Sequence, residues 1–363
     1  MRSFALNTAF ILLSIAAVNA QTASPTPPPI DEGEVIKVDS RLVVVPVSVT
    51  NAQGDPVQGL AAKDFSIAEE GRRQQVESVG TAAEVPLEIA LLVDISASTD
   101  AMFKFQQETA AQFLKLVMRP VDRATIYTVG MKATAIQQRE TAENAAAKLM
   151  SIVPTREQTA FYDSLLIAAN DLQKNTPPGR RKVLLIISDG EDTNSEGVLK
   201  AIWDAERKIA DNVQGEDLRK VRVKARDTAK VKEQIRVLRA LQNADTVFYS
   251  INPAGSSLQL NQMSMFGQEN LQKFADDTGG TAFLPKFLPI DTKDQLANSS
   301  NMRKNAATLE HIFKQLTNEL RAQYLVQYYS ESDFPLNKYV RLTVGLQNGG
   351  SDRVRARQGY YVK

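Results

Sequence analysis

The 363-residue sequence contains no cysteine, one histidine and one tryptophan. Without cysteine there can be no disulfide, no thiol nucleophile, no thiolate-bound zinc and no lipid anchor of the bacterial lipoprotein kind. A Ser-His-Asp triad would have to use the single histidine, His311, which the surrounding pattern places inside a helix. Charge of one sign is also lacking: 43 basic and 42 acidic residues leave a net charge of +1. Nothing global therefore directs the chain toward nucleic acid or a membrane surface. No Gly-x-x-x-x-Gly-Lys phosphate cradle occurs, and no long apolar run follows the first twenty residues.

Residues 1–20 read as a secretory signal. Arg2 supplies the positive start, Ala9 to Val18 the apolar stretch, and Val18-Asn19-Ala20 a small-residue end. Its rival, a retained membrane anchor, suffers from length, because spanning about 30 Å of hydrocarbon takes roughly 20 apolar residues. Residues 21–30 include Thr22 to Pro29, TASPTPPP, an extended linker. The expectation is an exported protein, periplasmic or secreted, with no integral span after cleavage.

The next stretch reads as β structure. Val38, Leu42, Val43, Val44, Val45, Val47 and Val49 are β-branched or apolar, Asn51 to Pro56 is a dense turn signal, and Phe65-Ser66-Ile67 alternates. Pro46 cannot donate to a ladder and so points to an edge strand or a bulge. The remaining strands needed for a sandwich appear at the other end of the chain: Tyr324 to Tyr329, Tyr339 to Leu346, and Val354 to Tyr361 after the turn at Asn348-Gly349-Gly350. The expectation is a small β-sandwich built from residues 31–84 and 324–363, with an α/β domain, residues 85–323, inserted between them. Strand and helix alternate there in the manner of a doubly wound, mostly parallel sheet.

Leu87 to Val93 is a strand apolar on both faces that runs into Asp94, Ser96 and Ser98. Those residues alternate along the loop beyond its carboxyl end. Oxygen donors without His or Cys suit a hard cation such as Mg²⁺, while the plain alternative is the capped start of a helix. Arg181 to Ser188 is a second apolar strand, leading into Asp189, and Thr159 stands ahead of a helix that carries Phe161, Leu165, Leu166 and Ala169.

With these segments the chain resembles the von Willebrand factor type A domain, and more loosely exported bacterial proteins that pair such a domain with β segments. The resemblance covers Val85 to about Gln323. It implies a Rossmann-like fold and a metal-ion-dependent adhesion site formed by Asp94, Ser96, Ser98, Thr159 and Asp189. Mg²⁺ is the expected ion, with Mn²⁺ or Ca²⁺ as alternatives. One departure is Gln158, where the family usually has Gly. Asp163 is either a helix-start residue or a hydrogen-bond acceptor behind the ligands. Glu191 and Asp192 are acceptors of the same kind or plain surface charge, the latter being favoured.

A helical insertion is expected over residues 204–245. Nine basic residues between Arg219 and Arg239 stand against Asp227 and Glu233 there, a local net charge of +7. A solvated helical hairpin explains it better than a docking patch for an anionic partner, since the aromatics that stack bases are missing. The functional expectation is a non-enzymatic, cation-dependent binding module for adhesion or assembly, whose partner protein offers a Glu or Asp carboxylate, with no nucleic acid involved. Its rivals are an exported scaffold with a purely structural ion and a metal-dependent hydrolase.

Overall fold

The computed structural model describes residues 41–96, 103–155, 157–209, 214–253, 262–290 and 292–363. The chain divides into two units, Met1–Val38 and Asp39–Lys363, and every element below belongs to the second. The expected signal, the proline-rich linker and Ser98 lie outside the described residues. Among the described residues no helix is long and apolar enough to cross a membrane.

In chain order the first strands are β1 (Arg41–Thr50), β2 (Phe65–Glu69), β3 (Arg72–Gln74) and β4 (Ser78–Thr81). The α/β region comes next with β5 (Leu87–Asp94), α1 (Phe103–Val117), β6 (Arg123–Val129), β7 (Ala133–Glu140), α2 (Ala142–Leu149), α3 (Phe161–Asn175) and β8 (Arg181–Ile187). It continues through α4 (Glu196–Glu206), α5 (Glu216–Asn243), β9 (Thr246–Ile251), α6 (Gln262–Thr278), β10 (Ala282–Phe283) and α7 (Gln295–Arg321). The chain closes with β11 (Tyr324–Ser330), β12 (Tyr339–Leu346), β13 (Arg353–Ala356) and β14 (Gly359–Tyr361).

The central sheet has the order β10-β9-β8-β5-β6-β7, parallel throughout except for β7, which runs antiparallel along β6. Every residue of β5 is buried, because helices cover both faces. Ile89, Leu91 and Val93 pack toward α1, α2 and α7, whereas Ala90 and Leu92 pack toward α3, α5 and α6. Burying each such aliphatic side chain contributes about 1.5–3 kcal/mol, so this alternation fixes the register firmly. The antiparallel strand β7 was not expected from the sequence. Its burial pattern is broken and half exposed, so no clean alternation marks it.

Four-stranded sheets with orders β13-β1-β11-β4 and β14-β12-β2-β3 draw on both ends of the chain, and their facing side chains form a third core around Val45, Val47, Phe65, Val326 and Val340. The expected strand Val354 to Tyr361 is in fact two: β13 pairs with β1 in one sheet and β14 with β12 in the other. Pro46 lies in an interior strand, contrary to the edge or bulge expected. It is tolerated because β13 pairs with β1 only over Val47–Thr50, so the proline falls where one flank of the ladder has ended.

The two sheets are stitched by a buried carboxylate. Glu69 accepts hydrogen bonds from Tyr328 Oη (2.9 Å) and Ser330 Oγ (2.8 Å) of β11 and from Tyr360 Oη (2.6 Å) of β14. Three donors satisfy the carboxylate, and it in turn satisfies them, so removing it strands all three hydroxyls in an apolar core. Glu69→Ala is expected to cost on the order of 3 kcal/mol in denaturant unfolding, and Tyr360→Phe about 1 kcal/mol. Equal losses for the two variants would contradict this account of the stitch.

Candidate functional site

β5 and β8 pair in register, with Val93 opposite Ile187. The strand order reverses at this pair: β6 lies to one side of β5 while β8, β9 and β10 lie to the other. A crevice outside the carboxyl ends of strands is expected at such a reversal. Asp94 ends β5 at its rim, and Asp189 stands two residues past the end of the neighbouring strand β8. A third loop closes toward them from the side: Thr155 N–H donates to Ile95 O (3.0 Å) and Ala160 N–H to Gly130 O (2.8 Å). Thr159 is bound on its other flank, its N–H donating to Thr193 Oγ1 (2.9 Å) and its carbonyl accepting from Thr193 and Asn194 N–H (2.9 and 3.0 Å). Asp94, Ser96, Thr159 and Asp189 are all buried.

Asp94 Oδ1 accepts from Ser96 N–H (3.0 Å) and Oδ2 from Ser188 Oγ (2.7 Å). Burial pushes its carboxyl up to about 6, the neighbouring charge of Asp189 pushes the same way, and hydroxyl and N–H donors from Ser96 and Ser188 offset only part. Asp189 Oδ1 accepts from Glu191 N–H (3.0 Å), which turns the loop sharply. Adjacent carboxylates flanked by hydroxyls offer oxygen donors alone, a set suited to a hard divalent cation. Among the described residues no cluster of three or more His, Cys, Asp or Glu could hold a metal. Any ion here must therefore lean on neutral oxygens as well as on the two aspartates.

The expected acceptors behind these residues have distinct places. Asp163 Oδ2 accepts from Glu196 N–H (2.8 Å) at the start of the neighbouring helix α4. Asp192, expected at the surface, is buried: Oδ1 accepts from Phe161 N–H (2.9 Å) at the start of α3 and from Ser195 Oγ, while Oδ2 has no hydrogen-bond partner among the described residues. Burial pushes this carboxyl up to about 6 as well, against donation from Ser195 and the charge of Lys230. Glu191 is half-buried and accepts from Ser264 Oγ of α6. The solvated-hairpin reading also fails at Lys230, which is buried in α5; desolvation holds its ammonium below the usual range. The inner stripe of α5, with Ala229, Val237 and Leu241, belongs to the core under α3 and α6.

Several contributors were missed in the sequence. Ser188 was read only as the last residue of a strand, yet its hydroxyl bridges Asp94 and Gly190 N–H (3.1 Å). Gly267 sits in α6 with its Cα against the Asp189 loop, where a Cβ would lie 2.5 Å from Asp189 O. Gly190 meets it with φ near +78°. A glycine inside a helical pattern is the signal that could have found this contact.

No family model matches the chain, and no curated protein matches its sequence. Solved structures do resemble it. An aerotolerance-related membrane protein from Bacteroides fragilis is 14% identical, with 61% of this chain and 99% of that chain covered and a TM-score of 0.33. Proximal thread matrix protein 1 from the mussel byssus, in a form with a zinc-occupied MIDAS motif, is 10% identical over 70% of this chain and 50% of that one, with a TM-score of 0.40. The PilB minor pilin from Streptococcus sanguinis is 13% identical over 66% and 63%, with a TM-score of 0.41. Likeness at this level transfers no ligand or partner to the present chain.

The charge arrangement has a measurable sign. A folded carboxyl raised from 3.8 to about 6 binds its proton more tightly than the unfolded one, so Asp94 lowers stability progressively as pH rises from about 4 through 6, and the full cost persists above. In chelator, Asp94→Asn is expected to raise unfolding stability at pH 8 by about 1–3 kcal/mol and to change it little at pH 4. A variant less stable than wild type at pH 8 would show that the charge is already compensated within the chain.

Proposed function

We propose that the chain is an exported, divalent-cation-dependent protein-binding module. In this reading Asp94, Ser96, Ser98, Thr159 and Asp189 hold the ion, and the partner contributes a Glu or Asp carboxylate. The observation that supports the reading is the placing of two aspartates at the carboxyl ends of adjacent parallel strands, Asp94 as the last residue of β5 and Asp189 two residues beyond β8, at the reversal of strand order, with the Thr159 loop fastened against both flanks. A bound Mg²⁺, or Mn²⁺ or Ca²⁺, supplies an electrophilic coordination position for an incoming carboxylate.

The chain's own residues set how strongly that position is felt. Asp94 and Asp189 offset the ion's charge, whereas the hydroxyls of Ser96 and Thr159 are neutral, so positive charge is left for the partner. Ser188 and the backbone of Ser96 fix both oxygens of Asp94, so little ordering remains to be done on binding. The sole histidine, His311, is exposed on α7, which disfavours the triad chemistry of a hydrolase. The secretory pattern of residues 1–20 supports export.

Calorimetry with Mg²⁺ or Mn²⁺ tests the site. Wild type is expected to bind one ion and Asp94→Ala none, with circular dichroism and folding retained because the aspartate sits on the rim of the sheet. Thr159→Ala is expected to keep ion affinity within a few-fold yet to lose retention of envelope proteins that wild type holds in Mg²⁺ and releases in EDTA. Undiminished ion affinity in Asp94→Ala overturns the reading.

A further inference from the structure

The opposite rim of the central sheet carries a second concave feature, a cavity of about 590 Å³. It lies between the amino-terminal ends of β8 and β9 and the outward face of β1 and β11. That volume falls within the roughly 300–1,000 Å³ of small-molecule sites. Its floor is aliphatic: Leu42 and Val44 point away from the sandwich core, are 48% and 39% exposed, and line the cavity beside Leu325 and Tyr361. Neighbouring outward apolar side chains on one strand are a patch rather than the scattered exposure every surface has.

Charge in this cavity is one-sided. Six lining residues are basic, and Asp245 is the only acidic side chain among them. Asp245 is already engaged by Arg357 (3.0 Å) and by Lys363. Arg180 is paired with Glu88 (2.8 Å), and Arg181 spends its donors on Leu320 O (2.7 Å), Ala82 O (3.4 Å) and Gln323. Two cations remain without a carboxylate among the described residues. Lys182 Nζ donates to Ala244 O (2.8 Å), and Arg41 has a buried Nη1 with no hydrogen-bond partner among the described residues. A buried guanidinium donor left unmatched costs free energy that an anion would recover.

We propose that this cavity binds a single-chain anionic amphiphile of the fatty-acid type. Its carboxylate is met by Arg41 and Lys182, and its acyl chain lies along Leu42, Val44 and Leu325. A mostly aliphatic floor suits an alkyl chain, and cations that make no ion pair disfavour a neutral or cationic lipid. The Asp94 rim plays no part, so the site stands whether or not that rim binds a cation.

Titration calorimetry of the full chain with dodecanoate tests this, with dodecyltrimethylammonium as the same tail under opposite charge and acetate as the head without the tail. Dodecanoate is expected to bind saturably, one per chain, in EDTA as in Mg²⁺, and both other probes at least about tenfold more weakly. Arg41→Glu and Lys182→Glu are each expected to weaken dodecanoate by about tenfold or more, while Arg41→Lys keeps most of the affinity. Among the described residues the Arg41 side chain makes no ion pair, so its variants decide the matter even if Lys182→Glu unfolds. No saturable binding of dodecanoate, equal binding of either control probe, or full affinity in Arg41→Glu overturns the proposal.

Discussion

The rim of the sheet is governed by the in-register pairing of two completely buried parallel strands. Because Val93 faces Ile187, β5 and β8 run out at the same level, and the residues just beyond them are brought together at the edge of the core. Each strand delivers a carboxylate there. Neither the strands nor their pairing needs those charges; Leu87 to Val93 is held by helices on both faces. The aspartates are instead an expense set against a strong core, and the raised carboxyl of Asp94 records it. A site of this type depends on the stiffness of its base, since a softer pair of strands would part and let water screen the charges.

Around that base the loops are braced by reciprocal capping. Asp192 and Ser195, ahead of α4, accept N–H groups at the start of α3, and Asp163, within α3, accepts the first N–H of α4. Each helix thereby satisfies the other's orphan donors. The loops of Thr159 and Asp189 lie between these caps and cannot move independently. Buried Lys230 of α5 faces the same place and offsets part of the cost of burying Asp192. The basic insertion, judged by its composition, looks like solvated surface. One lysine out of its nine basic residues is in fact part of the support for the third loop.

This contrast marks the limit of legibility in the sequence. Continuous apolar runs ending in Asp94 and Ser188-Asp189 are legible as strands covered on both faces by their short length and apolar content, and the doubly wound sheet with a sandwich from both chain ends is implied by their order. Burial of polar residues was not legible. Asp192 looks the same in sequence whether it caps a distant helix or faces water, and only the tertiary meeting of α3 and α4 decides. Likewise Ser188 acts through a contact 94 residues away and Gly267 through the distant Asp189–Gly190 loop, beyond any local pattern. Pro46 misled because edge and interior are properties of a ladder position, and β1 is interior at Val47 but open one residue earlier.

The insertion topology also assigns the two rims different roles. The chain enters β5 and leaves α7 on the amino-terminal side of the sheet, where Arg321 of α7 pairs with Asp122 and Arg181 of β8 reaches Leu320 O. The sandwich must therefore sit at that side, and the rim bearing Asp94, Thr159 and Asp189 is left without a covering domain from the described chain. Helices antiparallel to the strands present their amino-terminal dipole ends to the carboxyl rim and their carboxyl ends to the other. Carboxylates gather at the first and cations at the second, each with the field that suits it. The sandwich therefore lies away from the carboxyl rim, whereas the cation-lined cavity lies between it and the amino-terminal ends of β8 and β9.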